Sequence, residues 1–377
     1  MRIGLITGEY PPMQGGIGAY TRILARSLAA LGHEVEVLCR VGASEDDPTI
    51  QLVPSIPTWD MGTIPTIRRW ARDLDVVNLQ YQTAAFDMSP FVHFLPDVIR
   101  STPVVTTFHD LRFPYLFPKA GRLRDWIVAH LARSSDGVIA TNHEDALTLG
   151  QLPCAALIPI GSNILKPLGA DFDARAWREK AGAGDSDFLL AYFGLINRSK
   201  GLVPLLKGLA KLRLEGVPAR LIMMGSAGSS DPTNAAYVEE INGLIDRLEL
   251  APYIQRLGYI EEDTIIGSYL TAADAVVLPF ADGASYRRGS LMAAIRYSCP
   301  TVTTTPRIHI PTFQDHENLL LVPPDDPHAL THALHRLYES PQLRTRLKQG
   351  AAALALDFDW LEIARDTVEF YELVLKS

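Results

Sequence analysis

Cysteine is scarce: three residues in 377 (Cys39, Cys154 and Cys299), widely spaced and odd in number. That excludes a disulfide framework and a thiolate zinc cluster, and it fits a reducing compartment. Long apolar runs are missing as well, since no stretch approaches the ~20 residues of a membrane-spanning helix. The opening MRIGLITGEYPP lacks the charged start and long apolar core of a secretion signal, so a cytoplasmic chain is expected. There is no excess of positive charge. The 35 basic residues face 43 acidic ones, a net charge of −8, which argues against nucleic acid as a partner. Internal repeats and low-complexity tracts are also absent. What is present is a globular composition, 47% apolar and 21% charged, which excludes large-scale disorder. At roughly 150 residues per domain, the length predicts two to three domains.

Short β-branched runs alternate with helical patterns. Strands are expected at Arg2 to Thr7, Glu34 to Cys39, Ile50 to Val53, Val76 to Leu79, Val104 to Phe108, Gly137 to Thr141 and Ala156 to Ile160. Between the first two, Tyr20, Leu24, Leu28 and Leu31 repeat on one helical face. The rhythm then restarts, with strands expected at Phe188 to Phe193, Arg220 to Met224, Ile254 to Leu257, Ala275 to Leu278, Thr301 to Thr304 and Asn318 to Val322. Strand–helix alternation of this kind implies parallel, doubly wound α/β sheets. A weakly patterned stretch rich in Pro and Gly places the domain boundary near 162–168, giving domains 1–165 and 166–359. The helical pattern from Trp360 to Leu375 can pack on either half.

Three strand-to-helix loops carry chemistry. The first, EYPPMQGGIGAY, places Gly15, Gly16 and Gly18 before a helix, where unpaired N–H groups suit an anion. It is G-G-x-G rather than the dinucleotide fingerprint G-x-G-x-x-G, and a tight turn without ligand is the competing reading. In the second half, Gly194 ends a strand, and Arg198 and Lys200 follow in a loop able to neutralise a diphosphate; a solvated basic loop is the alternative. The third, PFADGASYRRGSLM, combines small Gly283, Ala284 and Ser285 with Arg287, Arg288 and a helix opening at Gly289-Ser290, an anion nest in pattern. Separately, His109 stands at the carboxyl end of the fifth expected strand, where it can donate a hydrogen bond to a hydroxylated substrate or exchange a proton, or simply cap or pack.

In this order, EYPPMQGGIGAY, TFHD, GLINRSKG, LIMMGSAG, LPFADGAS, CPTVTT and NLLLVPPDDP resemble the GT-B glycosyltransferases, and specifically the retaining enzymes of family 4 (group 1), over almost the whole chain. The resemblance implies two facing Rossmann-like domains with a nucleotide-sugar in the cleft between them, and no metal or cofactor. It implies that the C-terminal helix, 360–377, returns to the first (acceptor) domain. By position, Gly15 and Gly16 match the loop approaching the donor phosphates and acceptor. His109 matches the histidine at the transferred sugar, and Lys200 the lysine on the donor diphosphate. Gly225 and Gly258-Tyr259 match loops around the base and ribose. The donor it implies is UDP- or GDP-linked, and the acceptor a glycan, a lipid-linked molecule or a small molecule.

Three departures stand out. Leu195 occupies the family's arginine position, Ser285 and Ala293 occupy two glutamate positions, and Ser298 stands where the family has glycine. The hypothesis that follows is that Arg287, Arg288 and Arg198 take over the lost electrostatic work, with Asp282 a weaker substitute for a carboxylate. The lost carboxylates also keep two rival readings open: a nucleotide-sugar-binding protein with impaired turnover, or another GT-B activity such as a sugar-nucleotide epimerase. Two basic, Trp-containing segments (Arg68, Arg69, Trp70, Arg72; Lys119, Arg122, Arg124, Trp126, Arg133) read either as ordinary helices with one core face or as peripheral contacts with the inner face of a membrane.

Overall fold

The computed structural model describes residues 1–13, 15–111, 122–227 and 233–377, without the side chains of 122–124 and 233. The chain forms two compact units, Met1–Asn163 with Asp359–Ser377, and Ile164–Phe358.

The first unit is built on a seven-stranded parallel sheet. Its strands are β1 (Arg2–Ile6), β2 (Glu34–Arg40), β3 (Ile50–Ile56), β4 (Val76–Tyr81), β5 (Val104–Phe108), β6 (Gly137–Ala140) and β7 (Ala155–Leu157). They lie in the order β3-β2-β1-β4-β5-β6-β7. Strands β4 and β5 are buried at every position, as in a parallel sheet covered on both faces. The helix Gly16–Ala30 buries Ile17, Tyr20, Leu24 and Leu28, the stripe expected of a helix on a sheet. The C-terminal helix Trp360–Lys376 belongs to this unit. A side chain at Gly137 would stand 2.6 Å from Val374, so β6 opens on glycine because that helix crosses it closely. The Trp360 indole also donates to the Ser162 carbonyl at 2.7 Å.

The second unit repeats the plan with six parallel strands: β8 (Phe188–Phe193), β9 (Ala219–Met224), β10 (Ile254–Gly258), β11 (Ala275–Leu278), β12 (Thr301–Thr304) and β13 (Leu320–Val322). Their order is β10-β9-β8-β11-β12-β13. Strand β13 begins two residues later than the pattern suggests. The Asn318 amide is occupied instead in closing the preceding loop, accepting from Gln314 N (2.9 Å) and donating to Thr312 O (2.8 Å). The helix Leu202–Leu214 buries Leu202, Leu205, Leu206, Leu209 and Leu212 against the sheet. Both units are Rossmann-like α/β domains. In each the strand order reverses once, between β1 and β4 and between β8 and β11, and such reversals open ligand crevices at the carboxyl ends of the strands.

Candidate active site

In the second unit, the residues singled out by sequence converge on that reversal. Gly194, Gly225 and Gly258 end the three neighbouring strands β8, β9 and β10, with φ of 140°, 133° and 67°. The close approach is steric: a side chain on Gly225 would stand 2.0 Å from the Gly194 carbonyl oxygen. The Gly225 amide donates to Gly258 O at 2.7 Å. Tyr259, next to Gly258, is exposed.

Beyond β8 the chain passes Leu195, 48% exposed where the family carries arginine. Gly201 (φ 68°) then lets the loop pass the Pro279 carbonyl, 1.7 Å from where a Cβ would be. This fixes Lys200. Its ammonium lies 5.2 Å from the Phe280 ring centroid, and the Arg288 guanidinium lies 4.8 Å from the same ring. Burial first, and the Arg288 charge second, push Lys200 down to about 8, while Asp282 acts in the opposite sense. Asp282 forms an ion pair with Arg288. The group Lys200, Arg288 and Asp282 therefore carries one net positive charge, with the lysine poorly compensated. Arg198 is placed differently: its largely exposed side chain pairs with Glu240 at 2.5 Å and covers the Tyr237 ring. Arg287 is half-buried on the same loop as Arg288.

The third loop is held by backbone and side-chain bonds before its helix begins. Gly283 (φ 87°) closes its turn, and Ala284 N donates to Thr304 O at 3.2 Å. Tyr286 packs edge-on against Phe313 and Phe358 and hydrogen-bonds Thr312 at 2.7 Å, anchoring the segment. The helix Gly289–Arg296 then starts with no side-chain cap, and a Cβ on Gly289 would meet nothing within 4 Å. Leu291 and Met292 donate to the Arg288 carbonyl (2.8 and 3.0 Å), which leaves the Gly289 and Ser290 amides as the first-turn donors without a partner among the described residues. Ser290 is 6% exposed, and its hydroxyl has no hydrogen-bond partner among the described residues. It stands 3.6 Å from a Cβ placed on Gly194, so it faces the end of β8. The Ser285 hydroxyl is also buried and unpaired. Buried hydroxyls without partners are uncommon. Ala293, at the family's second glutamate position, is fully buried; a carboxylate there would have no water to solvate it. Ser298 keeps the left-handed conformation (φ 54°) that suits the glycine it replaces.

In the first unit, a carboxyl group of the protein itself lies against the Gly15-Gly16 turn. The Glu9 carboxylate lies against Gly15, where a Cβ would come within 1.8 Å of its Oε2, and the Gly18 amide bonds it. Burial, with Asp87 nearby, raises the Glu9 pKa. The helix N-terminus that the sequence assigns to a phosphate is therefore met by a side chain of the protein, one that no periodic signal picks out. His109 is buried, with Nε2 2.9 Å from Gln80 Oε1 and its ring edge-on to Tyr20 at 4.5 Å. Burial lowers it to about 3, so the imidazole is neutral across ordinary pH.

Of the two basic segments, the one around Trp70 is an ordinary helix. The Trp70 indole donates to Glu36 at 2.8 Å, and Arg68 donates to Val98 O at 2.9 Å. Trp126 is exposed and stacks on His130, while Lys119 and the side chains of Arg122 and Arg124 lie outside the described residues. No helix among the described residues is long and apolar enough to cross a membrane. A depression of about 610 Å³ in the second unit, lined by Gln314, Arg346 and Gln349 among others, contains none of the site residues.

Two family models match the chain. Residues 15–157 match the "Glycosyl transferase 4-like domain" and residues 187–340 match "Glycosyl transferases group 1", together more than three quarters of the sequence. The chain is a glycosyltransferase of the GT-B type. Among curated relatives, a D-inositol 3-phosphate glycosyltransferase of Xylanimonas cellulosilytica is 26% identical, over 96% of this chain and 92% of that one. A glycogen synthase of Mycobacterium tuberculosis is 23% identical, over 98% and 94%. Among solved structures, sucrose-phosphate synthase of Thermosynechococcus elongatus superimposes with a TM-score of 0.74 at 21% identity, covering 99% of this chain and 98% of that one. HepE of Anabaena, solved in complex with UDP and glucose, gives 0.74 at 18% identity, covering 98% of each.

Proposed function

We propose that the protein transfers a hexose-type sugar from a nucleoside diphosphate to an acceptor hydroxyl, with retention at the anomeric carbon. The observation that carries this is the unpaired Ser290 hydroxyl at the open start of the helix Gly289–Arg296, beside Gly194, in the same unit as a lysine depressed by burial. Each of these features is relieved by a diphosphate: the hydroxyl and amides gain an acceptor, and the ammonium gains a counter-charge. In glycosyl transfer the leaving diphosphate gathers charge in the transition state, so fixed donors and a cation aimed at it lower the barrier. Lys200, Arg288 and Arg287 take that role in our reading, and Gly194, Gly225, Gly258 and Tyr259 admit the nucleoside. His109 and the Gly15-Gly16 loop serve the transferred sugar and the acceptor, a glycan, lipid-linked molecule or small molecule.

UDP is the favoured donor carrier over GDP, because the related HepE was solved with UDP and with UDP-glucose. The nucleotide-sugar is a substrate in this scheme, which draws on no separate cofactor or metal. The three free cysteines, two of them buried, suit a cytoplasmic setting. A thermal-shift panel of nucleoside diphosphates tests the donor. A ligand at 100 times its dissociation constant adds about 2.7 kcal/mol of stability, and no response to any of them overturns the reading. Proton NMR of the anomeric product tests retention.

One observation favours a second reading, a nucleotide-sugar-binding protein without turnover. Asp282 is tied to Arg288 and Ala293 is buried, so neither restores the carboxylate that the family directs at its donor. Binding of UDP-sugars with neither transfer nor donor hydrolysis would decide for it.

A further inference from the structure

Strand β4 is buried at every position, yet it carries two amides, Asn78 and Gln80, both with no exposure. Polar groups so placed have to satisfy one another or the backbone. Asn78 Nδ2 donates to the Val105 carbonyl at 3.2 Å and to the Thr107 hydroxyl at 2.9 Å. A carbonyl only accepts, so this bond fixes which end of the Asn78 amide is nitrogen. The Asn78 oxygen is thereby left to accept from Gln80 Nε2. That in turn directs Gln80 Oε1 toward His109 Nε2, 2.9 Å away. An oxygen accepts, so the imidazole carries its proton on Nε2. Nδ1 is then the lone-pair nitrogen, and it has no hydrogen-bond partner among the described residues.

We propose that Gln80 is a positioning residue for sugar transfer: with Asn78 it locks His109 in the Nε2–H tautomer, so that Nδ1 accepts a hydrogen bond from a hydroxyl of the sugar or acceptor. The proposal rests on the glycosyl-transfer reading above and deepens it. It also reverses the direction suggested by sequence, where the histidine donates. The backbone holds the same arrangement, because the His109 amide donates to Tyr81 O at 3.1 Å, and Tyr20 closes on the ring from the side. A ring held neutral and in one tautomer discriminates a hydroxyl donor from a bare acceptor oxygen.

The test is histidine-selective ¹⁵N NMR of the full-length protein, with the His109 signals assigned by their loss in His109→Gln. Between pH 6 and 8, Nε2 is expected at the shift of a protonated nitrogen and Nδ1 at that of an unprotonated one. A proton on Nδ1, or averaged signals, overturns the proposal. Gln80→Met removes the acceptor, so the two signals should average. kcat should then fall by about tenfold, the worth of one hydrogen bond, while the donor KM stays within about twofold. Gln80→Glu keeps the shape but adds negative charge beside the ring. Its His109 should titrate at higher pH, with transfer lost as pH falls through that value and regained above it. A merely structural glutamine would lower the melting temperature of both variants without moving the His109 shifts or the pH profile. If Gln80→Met does not fold, the wild-type shifts and Gln80→Glu decide. If the wild type transfers no sugar, the functional reading fails while the ¹⁵N shifts still judge the relay.

Discussion

Lys200 should make nucleotide affinity pH-dependent in a range where lysines are usually silent. With its pKa pushed down to about 8 in the unoccupied protein, about nine-tenths of the molecules carry the charge at pH 7 and about one-tenth at pH 9. A bound diphosphate restores the ammonium, so binding above pH 8 must first recruit a proton. The affinity for UDP is therefore expected to fall about tenfold between pH 7 and pH 9, or about 1.4 kcal/mol. The ligand does not confuse the reading, since its terminal phosphate titrates near 6. Titration calorimetry in two buffers of different ionisation enthalpy should detect nearly a whole proton taken up per UDP at pH 9 and little at pH 7. Lys200→Arg should flatten the profile at high affinity. Lys200→Met should flatten it at an affinity roughly ten- to a hundredfold lower, the worth of a charge-assisted bond. A constant dissociation constant from pH 7 to 9.5, or the same slope in Lys200→Met, refutes the argument. Stability has the opposite sign. A lysine lowered below 10.5 disfavours folding fully below pH 8, and that penalty lifts as pH rises from 8 toward 10.5. Water at the half-buried ammonium keeps it below about 3 kcal/mol.

Two further outcomes follow from the same unit. Ser290→Ala removes a hydroxyl that bonds nothing, so the melting temperature should hold or rise slightly, while UDP binding weakens two- to tenfold; a clear loss of stability with unchanged binding contradicts the assignment. Gly225→Ala puts a methyl 2.0 Å from the Gly194 carbonyl at a φ of 133°, and denaturant unfolding should show a loss of more than about 2 kcal/mol.

Strand positions were legible in the sequence because a buried parallel sheet leaves a trace of short β-branched runs, three of which (β8, β9 and β10) close on glycine. The loops that end β8 and β9 were legible for a related reason. Gly225 and Gly201 are glycines because a side chain there would run into backbone, and Gly194 because its φ is 140°, and those demands are local. Pairings between distant residues were not. Nothing around Arg198 signals its pairing with Glu240, a full strand and helix away. The Glu9 carboxylate sits in a turn with no periodicity and is given meaning only by the helix start it folds onto. Gln80 and His109 lie 29 residues apart and meet only because β4 and β5 are neighbours in register. A faint signal did exist there, since two amides inside a strand otherwise made of valine, leucine and tyrosine are hard to bury without a task.

The Trp360–Ser162 bond has a bearing on how this protein can be taken apart. The chain leaves the first unit after Asn163 and re-enters it at Asp359, and that bond holds the exit and the entry side by side. In topological terms the second unit is an insert carried on a closed stem. Deleting 164–358 and joining the stumps through a few glycines should leave a self-sufficient module that keeps its last helix. A simple truncation after residue 163 would instead strip that helix away and bare the apolar floor on which Phe370 and Val374 rest.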